Sequence, residues 1–422
     1  MRRVLLFIII LLIIAGSATW FLYLRPKKIA QGEIPATGFK SYFPLGTNTA
    51  PDSQIGDFTP PSTTPQTQNP SAGRFTRIIN TPVAGFTIFS RTVTIPVTQT
   101  DPTVKPSTRT VVEHVLRYVS RGNGYVYEVV EREGKTELPL QISNIFIPNI
   151  YEASFMDDNK TALLRFLRDD NRTIATYSVP IPEKNTDNTR TQNEGTYLPN
   201  NIVSYAVSPN QTLIGKLTIE QNSGVIGISS SLNTLKKELF RSPVREWILA
   251  WPNQGALYLQ TKAAATAQGF LYYINTNTRS FRKVVGNVSG LTTNISPNGT
   301  YVLYSQSNNN GFTTRLLNTK TNTTTTLNLS ILPEKCTWLA SEDLICAGNT
   351  TVPEGVYPDS WYAGITQFND QLYRIYTKVG TYDALYDTTD ASFDMTHLKV
   401  HEDQNMLYFI DKTTGLLWKT KL

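Results

Sequence analysis

Chemistry has few places to start in this sequence. Only three histidines are present. His397 and His401 stand in an H-x3-H spacing that could ligate zinc from one face of a helix. The alternating pattern around them reads as a strand, on which four residues span roughly 13 Å, too far for one metal. His114, inside VVEHVLRYVS, reads as a half-buried strand residue. No G-x-S-x-G elbow and no phosphate-cradling or dinucleotide-binding glycine motif occurs. Asp157-Asp158 and Asp169-Asp170 are paired acids, and glycoside hydrolysis needs two carboxylates. Each pair sits at a turn, where Asp caps backbone N–H groups. The residues therefore name no catalytic group, no metal site and no cofactor.

Two features remain. Cys336 and Cys346 are equally spaced about a polar turn at Ser341, which places them opposite each other on neighbouring strands. Opposed strand positions are close enough for a disulfide, and an external compartment would allow it. The alternative is a pair of buried thiols packing as small hydrophobes. The second feature is an insertion at 348–364 that holds Tyr357, Asp359, Trp361 and Tyr362 in a Pro/Gly-rich stretch. Aromatic rings beside an acid suit a peptide or glycan contact surface. The competing reading is that Trp361 and Tyr362 fold the insertion back onto the domain.

The elements that position these residues come from a repeat. Turn prolines recur at 209, 252 and 297, with spacings of 43 and 45. Polar turns near 157, 342 and 403 keep the same phase. Before each turn stands one apolar strand, as in YEASF, IVSYAV, EWILAW, GLTTNI, CTWLA and HLKV. Two or three further strands follow it. Four strands at a period of about 44 residues is the pattern of propeller blades. A seventh unit lies upstream, in VAGFTIF, VVEHVLRYVS, NGYVYEVVE and TELPLQIS, with an insertion near 91–109. The expected fold is all-β, a propeller of about seven four-stranded blades. The last unit ends one strand short at Leu422. Residues 74–80, RFTRIIN, are expected to complete it beside 416–422 and so cover an open edge.

Ahead of the propeller, 4–24 is an apolar run whose only polar or glycine positions are Gly16, Ser17 and Thr19. It is long enough to span a bilayer. A cleaved signal peptide ending near Gly16-Ser17-Ala18 is the rival, but the apolar run continues through Trp20 to Leu24. Positive charges on the two sides nearly balance. The Thr-rich body and the two cysteines favour a single-pass anchor with an external C-terminal domain. Residues 25–73 are rich in Pro, Thr, Gln, Ser and Asn and show no apolar period. Such a stretch cannot bury enough surface to offset its ordering entropy and reads as a flexible tether with a reach of roughly 40 Å. The domains are thus an anchor (1–24), a linker (25–73) and a propeller (74–422). The net charge of +6 is mild, and six basic residues fall in the anchor and linker. No basic patch on the folded part calls for nucleic acid.

At Pro333-Glu334-Lys335-Cys336-Thr337-Trp338, Tyr357-Pro358-Asp359-Ser360-Trp361-Tyr362-Ala363-Gly364, Tyr151-Glu152-Ala153 and the ending around Leu407–Ile410 and Leu417-Trp418, the chain resembles a known group. These are membrane-anchored propeller-like proteins of small-genome bacteria, with units similar to WD-repeat and Tol-system propellers. The resemblance covers roughly 74–422. It implies no activity, cofactor or catalytic residue. The Gly-His and Trp-Asp pairs of true WD repeats are lacking.

The function expected from this reading is a membrane-tethered, extracytoplasmic module that binds an unknown protein or glycan at the cell surface. The lipid bilayer is met through residues 4–24. The alternatives are a carbohydrate-active hydrolase or lyase with acids in the propeller funnel, or a structural component of an envelope assembly.

Overall fold

The computed structural model describes residues 71–72, 74–96, 108–182, 194–230, 235–386 and 392–422. The anchor and almost all of the linker lie outside the described residues. Within them, no helix is long and apolar enough to cross a membrane.

The strands form seven antiparallel sheets, each built mainly from four consecutive strands. Blade one covers 83–141, blade two 152–197, blade three 204–242, blade four 247–289, blade five 292–327 and blade six 336–386. The last three strands of the chain, Met395–His401, Met406–Asp411 and Leu417–Lys421, belong to blade seven. The first strand of each blade contacts the first strand of the next around most of the ring, so the first strands form the inner wall. Blades one and two come so close there that a Cβ at Gly85 would stand 2.0 Å from the Ala153 carbonyl oxygen.

The core is divided into seven slabs, one between each pair of neighbouring blades. Successive side chains of a strand point to opposite faces, so a middle strand feeds two slabs at once. Leu163 packs between blades two and three, and Leu164 between blades one and two. Leu257 and Leu259 face blade three, while Ala256 and Tyr258 face blade five. Both faces being buried, these strands read as near-continuous apolar runs, TALLRFL and ALYLQT.

The turns follow their sequence chemistry. At 208 and 296 the serine hydroxyl accepts the backbone N–H five residues on (3.0 and 2.9 Å) and donates to Asn210 or Asn298. Gly299 takes a φ of +73°. The Pro252 turn differs, because its strand continues through Asn253 with a register shift.

Several details depart from the sequence reading. Part of the stretch read as an insertion near 91–109 is strand: Val83–Pro96 and Thr108–Ser120 form one long hairpin, with 97–107 outside the described residues. The fourth strands of blades two and six, Thr196–Tyr197 and Thr381–Tyr386, carry too little alternation to be recognised alone. Residues 71–72, assigned to the linker, form a short strand against Phe75–Arg77.

The ring closes between the two ends of the folded part. Phe75–Arg77 pairs antiparallel with Leu417–Lys421, with Thr76 opposite Lys419 and Arg77 opposite Trp418. Phe75 is buried against Phe393 and Phe409, with ring centroids 4.9 and 5.8 Å away. Phe75→Ala should cost about 3–5 kcal/mol in chemical denaturation, the range for removing a buried aromatic. Deleting 74–80 should also expose the edge of Leu417–Lys421 and produce oligomers on size exclusion. A monomer of unchanged stability after that deletion would place the closure elsewhere.

Candidate functional site

The insertion in blade six lies between strands Leu344–Gly348 and Gln371–Tyr376 and contains a one-turn helix, Asp359–Tyr362. It shares one face of the propeller with the segment that leads from blade five into blade six, a 3-10 turn at Pro333–Lys335. Its underside is a hydrophobic cluster of four aromatic rings, Phe312, Tyr357, Trp361 and Phe368, with Leu332 among them and Val352 and Tyr362 at its border.

The four residues singled out from the sequence have different fates. Tyr357 is buried, its hydroxyl donating to the Pro353 carbonyl (2.7 Å) and its own carbonyl accepting from Ser307 Oγ. Gly290, at a φ of +62°, makes room for this approach, since a Cβ there would meet both the Ser307 hydroxyl and the Tyr357 carbonyl. Trp361 is buried and donates its indole N–H to both carboxylate oxygens of Asp394 (3.1 and 3.0 Å). Tyr362 is half-buried and donates its hydroxyl to Glu334, whose pKa burial raises. Asp359 is exposed and accepts the Ala265 backbone N–H at 2.6 Å. The rings thus hold the insertion down on its own domain.

Beneath them lies a buried ionic cluster that sequence reasoning missed. Lys335 Nζ stands 2.7 Å from Asp370 Oδ2 and also contacts Asp394 Oδ1. All three side chains are at most 1% exposed. The ammonium lies 4.8 Å from the centre of the Phe368 ring and 5.2 Å from that of Trp361. Asp370 also accepts the Met395 N–H (2.6 Å), and the Asp394 N–H donates to Asp411. Desolvation pushes the Asp370 carboxyl up to about 6, against the opposing pull of Lys335. A second cation, Lys412, stands 5.1 Å from the centre of the Trp361 ring and donates to the Trp361 carbonyl (2.8 Å). The available signal was weak: Lys335 sits among apolar residues, but its partners lie 35 and 59 positions away.

Immediately after Lys335, Cys336 opens the first strand of blade six. It stands opposite Cys346 in the ladder, with 4.1 Å between Cα atoms, and a disulfide joins the two. The bond ties the first strand of that blade to its second.

The histidines are arranged across a different seam. His397 does not meet His401; its electrostatic neighbours are Lys399, Glu152 and Arg121. His401 instead meets His114 between blades seven and one. Ser90 Oγ is 3.0 Å from His114 Nδ1 and 3.0 Å from His401 Nε2, and the two ring nitrogens are 3.3 Å apart. Among the described residues, no group of three or more His, Cys, Asp or Glu forms a metal site. The acid pairs stand at turns as expected: Asp170 caps Arg172 and Thr173, and the Thr173 hydroxyl holds its carboxyl down at about 2.

The inner wall bears on two-acid catalysis. Its seven first strands carry one carboxylate, Glu152, which Arg165 binds at 2.6 Å. Lys399 donates to the Phe86 carbonyl (2.8 Å).

No family model and no curated protein sequence matches the chain. Among solved structures it is similar to an oligogalacturonate lyase in complex with manganese, at 10% identity over 79% of this chain and 98% of that one, with a TM-score of 0.48. It is similar to TolB from Acinetobacter baumannii at 10% identity, covering 78% of this chain and 79% of that one, TM-score 0.37. The β-propeller domain of the Trilobed protease from Pyrococcus furiosus shares 10% identity over 74% of this chain and 91% of that one, TM-score 0.45. Similarity at this level passes no ligand or reaction to this chain.

Two outcomes follow from the site. Lys335→Met leaves two buried carboxyls without their cation and should cost about 3–5 kcal/mol in chemical denaturation. At the His seam, burial first and the neighbouring His114 second push the His401 pKa down. The folded state then resists a proton that the unfolded chain accepts. Stability should therefore hold above the ordinary histidine value and fall as pH drops below it. Melting curves across that range should show the loss, and His401→Asn should flatten it. An equal slope in the variant would remove the seam from the explanation.

Proposed function

We propose that this propeller is a membrane-tethered binding module, carried outside the membrane by residues 4–24 and the linker, whose partner is a protein. The observation that carries the reading is the insertion of blade six. Its underside is fixed by Trp361, Tyr357 and the Lys335 cluster, while Val356 and Ile365 point outward at 57% and 78% exposure. Both are hydrogen-bonded through their backbones to Ser360, so they project from one small turn. A rigid segment with exposed aliphatic groups loses little entropy when it is covered, which suits a protein interface. Asp359 adds an exposed charge at the same turn.

A glycan partner would call for exposed rings on which sugars stack, and the insertion's Tyr357 and Trp361 are turned inward. Hydrolysis by paired acids is less well supported, since the inner strands offer only Glu152, already bound by Arg165. A role as a fixed component of an envelope assembly would use the same surface.

Replacing Val356 and Ile365 together by Glu tests the reading. Exposed positions of this kind usually change stability by about 0.5 kcal/mol or less. The melting temperature should stay within a few degrees, while partners recovered by crosslinking at the membrane should disappear. An unaltered partner profile on a stably folded variant would remove this surface from the binding function.

A further inference from the structure

The buried cluster beneath the insertion holds an amine against two carboxyls in a site closed to water, which is more than an anchor requires. We propose that Lys335 and Asp370 become joined by an intramolecular amide bond, with Asp394 as the proton-transferring group.

The geometry supplies each part. Lys335 Nζ is within 2.7 Å of Asp370 and in contact with Asp394, and none of the three side chains is more than 1% exposed. Groups held at such a separation react as though at concentrations of roughly 10⁵ M or more. In water the amine and acid remain charged and do not condense. Here Phe368 and Trp361 flank the ammonium at 4.8 and 5.2 Å, and burial of all three side chains keeps bulk water from stabilising the ions or reversing the bond by hydrolysis. The same desolvation raises Asp370 to about 6, which favours its neutral, electrophilic form.

Asp394 is placed for the other task. The Trp361 N–H reaches both of its oxygens, which fixes the carboxylate beside Nζ. In the step, Asp394 takes one proton from the Lys335 ammonium. The freed lone pair attacks Asp370 Cγ, and the Met395 N–H, 2.6 Å from Oδ2, stabilises the oxygen that gains charge. Asp394 returns its proton to the departing hydroxyl, the C–O bond breaks and water leaves. Asp394 then accepts a second nitrogen proton. Of the three ammonium protons, one stays in the amide, one departs in water and one ends on Asp394. Nothing is oxidised or reduced. The product ties the segment before blade six to the far end of the insertion, next to the disulfide.

The test is mass spectrometry of the full chain, purified folded and then reduced and denatured. The peptide bearing Lys335 should be found joined to the peptide bearing Asp370, at their summed mass less one water. Separate peptides of full mass would overturn the proposal, and a branch at Asp394 would overturn the assignment of roles. Asp394→Ala should slow formation about 100-fold or more, as loss of a proton-transferring group does. Asp370→Asn should still form the link, now with loss of ammonia. If a variant does not fold, the unaltered chain alone decides, because its branched peptide is either present or not.

Discussion

The structure depends on one strand pairing, that of Phe75–Arg77 with Leu417–Lys421. A ring of blades has no natural end: each blade is covered by its neighbours, so an open ring exposes two blade faces and a strand edge. Backbone pairing alone is a weak latch over three or four residues. Phe75 strengthens it by entering the slab between blades six and seven, among Phe393, Phe409 and Leu407. Val83 extends the seam by donating its N–H to the Gly415 carbonyl (2.9 Å). Closing a contact of such sequence separation costs the loop entropy of nearly the whole domain.

Division of the core into slabs has a second consequence. Each blade is stabilised mainly by two neighbours, so local additions on one blade's loops disturb little else. Blade six uses this freedom. Its insertion brings its own small core, with Tyr357, Trp361 and Phe368, and rests on a buried cation with two carboxyls. Burying three ionisable groups is costly unless geometry and hydrogen bonds offset the desolvation. Trp361, Met395 and Lys335 provide those bonds, and the result is a loop whose inner face is fixed and whose outer face leaves Val356 and Ile365 exposed.

The electrostatics of two buried contacts, the Lys335 cluster where blade six meets blade seven and the histidine pair where blade seven meets blade one, differ in kind. At the Lys335 cluster opposite charges meet in a dry site. Where His401 meets His114, burial and the neighbouring ring favour the neutral form of His401.

By itself the sequence determined the repeat, the strand order within most blades, the closing segment and the opposition of Cys336 and Cys346, because all of these follow from local alternation and a constant period. It also singled out the insertion. The direction in which Tyr357, Trp361 and Tyr362 point was decided only by tertiary structure, since an aromatic ring packs equally well inward or against a partner. The same holds for His114 with His401 and for Lys335 with Asp370 and Asp394. Those groups lie on different strands, blades or loops, and no spacing along a chain encodes which of them the closed ring and the folded insertion bring into contact.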